Sequence, residues 1–184
     1  AGAVAENGPE LAVWPVDSMQ KVFRDDGPPL TPPAPIGLDA ARNESLSVQV
    51  VAWSEAGLSG LVCRAGALTR KDTPAAIPAP RVRAVGYVPV AKGDDPHFSL
   101  RKRPCDYPDP LFDDPPPAVA PRHAQPFWLT FRIPSNAPAG LYAGQAEVEA
   151  VADGRRLARP APVAITVFPV LLSDARTLKV SNWH

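Results

Sequence analysis

The stretch Phe127-Trp128-Leu129-Thr130-Phe131-Arg132-Ile133-Pro134-Ser135-Asn136-Ala137-Pro138-Ala139-Gly140, continuing to Val151, decides the fold class. Phe127, Leu129, Phe131 and Ile133 fall on one side of an extended backbone and Trp128, Thr130 and Arg132 on the other, the period-2 mark of a half-buried strand. Pro134 to Gly140 then stops the run, with two prolines lacking an N–H, an Asn able to bond its own backbone and a Gly tolerant of positive φ. Alternation resumes with Ala146, Val148 and Ala150 against Gln145, Glu147 and Glu149. Asp153-Gly154 is a strong hairpin signal, and Val163, Ile165 and Val167 opposite Ala164, Thr166 and Phe168 give a returning strand. The pattern predicts a three-stranded antiparallel meander on which the rest of the chain is built.

Working outward, Leu46, Val48, Val50 and Ala52 alternate with Ser47, Gln49, Val51 and Trp53 as a core strand. Leu58 to Cys63 and Arg81 to Val90 read as further strands, Pro89 marking an edge or an end. Leu11 to Trp14 and Lys21 to Arg24 are short strand candidates, the second broken by Asp25-Asp26-Gly27-Pro28-Pro29. Helical periodicity is confined to a weak case around Leu38 to Leu46. Residues 91–124 hold eight prolines and six aspartates with almost no strand pattern, and are expected to form one long Pro-rich loop over the surface. The expected fold is all-β, a two-sheet antiparallel β-sandwich, immunoglobulin/fibronectin-like or jelly-roll-like, with a closed barrel as competitor.

Composition narrows the function classes. A chain of 184 residues with 45% hydrophobic content suits one globular domain, and 25 prolines with 12 glycines stay below a low-complexity composition. Nineteen basic and nineteen acidic residues cancel, leaving no global field for nucleic acid or an anionic membrane, and no apolar run is long enough for a membrane span. The first residue is Ala without a Met-initiated signal peptide, which leaves a processed secreted protein or a trimmed chain; a secreted or periplasmic location is expected. Cys63 and Cys105 permit one disulfide or two free thiols.

Local catalytic or metal chemistry finds little support. Asp94, Asp95, Asp106, Asp109, Asp113 and Asp114 are enough carboxylates for an acid–base pair or a calcium cage, but they lie in a Pro-rich segment without the regular spacing of a known site. His97, His123 and His184 with the cysteines match no zinc spacing. Gly57-Leu58-Ser59-Gly60 falls one residue short of a nucleophile elbow, and no Gly-rich loop opens a helix. No metal and no cofactor are expected. Arg101-Lys102-Arg103 reads as a solvated run, and Arg42 with Glu44 as structural. Aromatic faces are better candidates, because C–H groups of a sugar ring meet a flat, electron-rich surface. Trp14, Trp53, Trp128, Tyr107 and Tyr142 are those faces, with Trp128, Trp53, Tyr107 and Tyr142 taken as carbohydrate-binding candidates; core or interdomain packing is the competing reading.

Five stretches then occur in an informative order: Lys21-Val22-Phe23-Arg24-Asp25-Asp26, Ala41-Arg42-Asn43-Glu44, Tyr107-Pro108-Asp109-Pro110-Leu111, Gln125-Pro126-Phe127-Trp128, and Asn136 to Gly144. In this order the chain resembles the N-terminal region of bacterial proteins similar to family 123 glycoside hydrolases. The resemblance implies an N-terminal β-sandwich followed by a (β/α)₈ barrel that carries the active site, with Thr177 to Trp183 looking like the start of the barrel's first strand. It also implies an adjacent Asp-Glu pair in the barrel, Glu as general acid/base and Asp positioning the substrate's 2-acetamido group. No Asp-Glu dipeptide occurs in this sequence, and such a barrel needs about 200 residues of its own.

The resulting expectation is a sandwich over residues 1–170, a linker and barrel start over 171–184, and no catalysis by this chain alone. Its partner would be a C-terminal barrel domain of the same protein, contacted through Tyr107, Asp109, Leu111 and Trp183, in hydrolysis of a carbohydrate such as an N-acetylhexosaminide. A free-standing carbohydrate-binding module and a protein-interaction or adhesion module are the alternatives.

Overall fold

A computed structural model describes residues 11–31, 36–91, 100–101 and 104–175. Twelve strands and no helix occur among them: β1 (Ala12–Asp17), β2 (Ile36–Arg42), β3 (Ser45–Trp53), β4 (Leu58–Ala65), β5 (Leu68–Thr69), β6 (Ala76–Ile77), β7 (Arg81–Val90), β8 (Cys105–Phe112), β9 (Ala118–Val119), β10 (Ala124–Arg132), β11 (Gly140–Ala152) and β12 (Arg155–Leu171). They form two sheets. One has the order β1-β3-β10-β7-β8; the other runs β2-β12-β11-β4-β9, with β5 attached to β11 and β6 to β5. Pairing is antiparallel except between β2 and β12, which run parallel.

The sheets face each other across one apolar core, as expected for a sandwich. Val48, Val50 and Ala52 of β3 and Phe127, Leu129 and Phe131 of β10 enter it from the five-stranded sheet. Tyr142, Ala146, Val148 and Ala150 of β11 and Val163, Ile165 and Val167 of β12 enter from the other. The hairpin at Asp153-Gly154 forms as the sequence indicates, with φ of 48° and 70° at its two residues, the paired positive values of a type I′ turn.

The meander is corrected in one respect. β10 does not pair with β11; it lies between β3 and β7, and Pro134–Ala139 carries the chain across to the facing sheet. Alternation marks which residues face the core but is silent on whether successive strands are neighbours in one sheet or opposite each other across it.

Three further expectations change. Lys21–Arg24 is not a strand but part of a tight turn closed by the Asp26 amide bonding to the Phe23 carbonyl at 3.1 Å. The weak helical window at Leu38–Leu46 is instead β2, the turn Asn43–Glu44 and the start of β3. The single long loop over 91–124 is interrupted by β8 and β9. Pro108 and Pro110 fit in β8 because it is the edge of its sheet, where one row of backbone groups has no ladder to join. Pro160 and Pro162 follow the same logic: β12 pairs with β2 only from Val163 onward, leaving that side free before it.

Candidate functional site

The outer face of the five-stranded sheet is where the sequence candidates gather. Residues opposite one another in an antiparallel pair share a face, and on this side Trp14, Val51, Trp53 and Ala124 form a second small apolar cluster with Val16 and Val22. The turn segment 17–26 roofs this cluster, and polar ties hold it there. The buried Gln49 side chain donates from Nε2 to the carbonyl oxygens of Asp17 at 3.0 Å and Gln20 at 2.7 Å. The Tyr87 hydroxyl reaches the carbonyls of Val22 at 3.2 Å and Ala124 at 3.3 Å, and burial pushes its pKa well above the usual phenol range, so it stays a neutral donor. The Ala124 amide donates to the Arg24 carbonyl at 2.7 Å.

Strand β8 supplies the other wall. Lys21 Nζ donates to the Pro108 carbonyl at 3.1 Å and lies 4.0 Å from the Asp109 carboxylate. Arg24 pairs with Asp106 at 2.8 Å while its guanidinium covers the Tyr87 ring at 4.2 Å. Tyr107 meets Phe23 edge-on, ring centroids 5.3 Å apart, and Arg101 lies over the Phe23 ring while bridging to Asp25 and Asp26. Residues 21–26 and 107–111, two of the stretches that carry the resemblance, are thus laced to one another.

Between roof, wall and sheet a cleft of about 200 Å³ remains, lined by Lys21, Gln49, Val85, Asp109, Leu111 and Trp128 among others. Trp128 stands half-buried in it. Directly opposite Trp128 lie Gln49 on β3 and Arg83 on β7, so the three form a row across the sheet.

The structure separates the four carbohydrate-binding candidates. Trp128 is in the cleft. Tyr107 is not among the residues lining it and is half-buried against Phe23. Trp53 is 7% exposed under the roof, and Tyr142 is fully buried in the main core with its hydroxyl on the Pro138 carbonyl at 2.8 Å. Stacking needs an accessible face, which neither of these two rings presents. Of the interdomain candidates, Asp109 is exposed, Leu111 is half-buried in the cleft, and Trp183 lies outside the described residues. Asp94, Asp95, His97 and His184 also lie outside them. Among the described residues no three His, Cys, Asp or Glu side chains cluster to hold a metal ion. Cys63 and Cys105 are free thiols, on β4 and β8 of different sheets.

Sequence reasoning passed over a second surface. β12 outruns β11, whose pairing stops at Val167, and beyond that point Phe168, Val170, Leu171 and Leu172 are 46%, 55%, 54% and 44% exposed. A tight corner fixes this end. Asn43, at φ 65°, donates from Nδ2 to the Leu172 carbonyl at 3.0 Å and to Asp174 Oδ1 at 2.8 Å. The Glu44 carboxylate caps the Ala41 amide at 2.7 Å, and the Asn43 amide and Glu44 carbonyl bond Ile133. The available signal was the loss of polar alternation after Val167, in Phe168-Pro169-Val170-Leu171-Leu172.

Comparison with known proteins agrees with this fold. A solved family 123 glycoside hydrolase from Clostridium perfringens, described for its hydrolysis of glycolipid glycans, superposes with a TM-score of 0.72 at 12% identity, covering 89% of this chain and 28% of that one. The chain therefore spans little more than a quarter of that enzyme's length. The CooA pilin subunit of enterotoxigenic Escherichia coli (TM-score 0.37, 10% identity, 85% of this chain and 99% of that one) and a membrane-anchored protein from Corynebacterium diphtheriae (0.34, 14%, 76% and 34%) superpose too loosely to bear on the argument. No curated protein matches the sequence. The family model described as the glycoside hydrolase 123 N-terminal domain matches residues 24–150, well over half of the sequence, and the chain belongs to that family.

Proposed function

We propose that this sandwich is a non-catalytic support for a catalytic barrel on the same polypeptide, and that the whole protein hydrolyses glycosides of N-acetylated amino sugars. The observation that carries the docking role is the bare apolar end of β12. Four large apolar side chains within five residues stand in solvent where the chain leaves the sandwich, and the Asn43 corner holds that exit in one direction. Exposed apolar surface of this kind favours burial against a partner. The following domain is the nearest partner, since a relative of the same fold carries almost three quarters of its length outside the matched region. The missing Asp-Glu pair supports assigning the chemistry elsewhere than in this chain.

Hydrolysis of a chromogenic N-acetylhexosaminide tests both parts. The 184-residue chain is expected to turn over none, and a polypeptide continuing through the next domain is expected to turn it over. In that longer polypeptide, Val170→Asp with Leu171→Asp should split a single thermal transition into two and lower turnover several-fold. Turnover by the short chain would overturn the non-catalytic role, and two independent transitions before any substitution would overturn the docking role.

A further inference from the structure

We infer that the Trp128 cleft is a binding site for a neutral pyranose ring, independent of any active site on another domain. Three features meet there. Trp128 is half-buried and lines a cleft large enough for one sugar ring, where an aromatic ring can stack on it. Gln49, only 3% exposed, has both amide hydrogens taken by the Asp17 and Gln20 carbonyls, which fixes the rotamer and the O/N assignment. Its Oε1 accepts no hydrogen bond among the described residues and, not being sealed from solvent, is free to accept one from an occupant of the cleft.

Lys21 also lines the cleft, its ammonium donating to the Pro108 carbonyl and keeping further donor capacity. An acceptor and a cationic donor therefore border the same space as the ring. A ligand that stacks on the ring while both donating and accepting hydrogen bonds satisfies these groups, and vicinal hydroxyls of a pyranose do so. Lys21 and Asp109 at the rim offset each other's charge, which favours a neutral sugar over a uronic acid. Among the described residues lining the cleft Asp109 is the one carboxylate, so the site is proposed to hold a sugar rather than cleave it.

The test uses the indole N–H signals of the four tryptophans in ¹H–¹⁵N spectra of the whole chain. Methyl N-acetyl-β-D-glucosaminide and methyl β-D-galactoside are each titrated to about 50 mM, several-fold above a Kd of order 10 mM. The signal that disappears in Trp128→Ala should shift saturably with at least one sugar, while the buried Trp14 and Trp53 signals stay in place and report an intact fold. No saturable shift with either sugar overturns the site, as does a drift shared by all the tryptophans. A cleft built instead to receive a side chain of a neighbouring domain gives the first of those two results. Failure of the docking test above leaves this titration unaffected, so the two proposals fall separately.

Discussion

The two outer faces of the sandwich differ in what covers them. On the five-stranded sheet, Trp14 and Trp53 are buried although they point away from the main core, because the irregular segment 17–26 is tied over them by Gln49, Tyr87 and the Ala124 amide. On the seven-stranded sheet no comparable roof occurs among the described residues. Its outer face carries the exposed Arg64–Glu149 pair and a shallow depression over Gly66, Ala143 and Gln145, and at one end the uncovered Phe168 and Leu141. A sheet's second face is thus buried only where side chains reach out to hold an irregular segment on it, and Trp128 marks the margin where that cover stops.

The largest effect expected from this contrast comes from the roofed tryptophan. Trp53→Ala should cost about 3 kcal/mol of folding stability, at the lower end for a buried Trp, because the substitution also removes a buried indole N–H that has no partner among the described residues. Trp128→Ala, one face already in solvent, should cost no more than about 1 kcal/mol. Urea unfolding of the two variants side by side checks the difference; equal losses would mean that the roof does not shelter Trp53 in solution.

The ties themselves should be worth less than what they cover. Arg24→Ala removes an ion pair whose partners are both 41% exposed, together with the stacking on Tyr87. Exposed pairs contribute less than about 1 kcal/mol and cation–π contacts at such sites a similar amount, so a loss of about 1 kcal/mol is expected. Its location is more telling than its size. Amide exchange at Val22, Phe23 and Ala124 should speed up, while exchange at Val48 and Leu129 in the main core should not. Glu149→Ala on the unroofed face should change neither stability nor exchange measurably, since it breaks only a surface pair.

Much of this arrangement was legible in the residues. Period-2 runs placed β3, β10, β11 and β12, and Asp153-Gly154 placed a turn with positive φ at both residues. The same runs set Trp53 and Trp128 opposite the main apolar side of their strands. Which of the two would be roofed was not legible, because the roof is a non-repeating turn held on the sheet by tertiary bonds from Gln49, Tyr87, Ala124 and the Asp106–Asp109 part of β8. Nor did proline content betray β8, since an edge strand tolerates Pro108 and Pro110 and their frequency reads locally as loop. Parallel pairing of β2 with β12 is a long-range choice with no local signature in Ile36–Arg42.

The smallest expected effect on stability near neutral pH concerns the two thiols, one in each sheet. Burial of Cys63 on β4 disfavours its thiolate and pushes the pKa up from 9.0 to about 12. A thiol held protonated in the fold adds stability that is fully present below the unfolded pKa near 9 and is lost as pH rises toward 12. Stability at pH 7 should therefore be unchanged by small shifts in pH, while alkaline unfolding should set in above pH 9 and be eased by Cys63→Ser less than by Cys63→Ala, since the serine hydroxyl carries its own burial cost. Reactivity is the sharper readout: three pKa units cut the thiolate fraction at pH 8 about a thousandfold. Iodoacetamide followed by peptide mass analysis should leave Cys63 unmodified until the chain unfolds, and its modification rate in urea should track the unfolding curve. Rapid native labelling of Cys63 would show that the seven-stranded sheet opens locally at β4, and that the absence of a roof on its outer face extends to a loosely held strand beneath it.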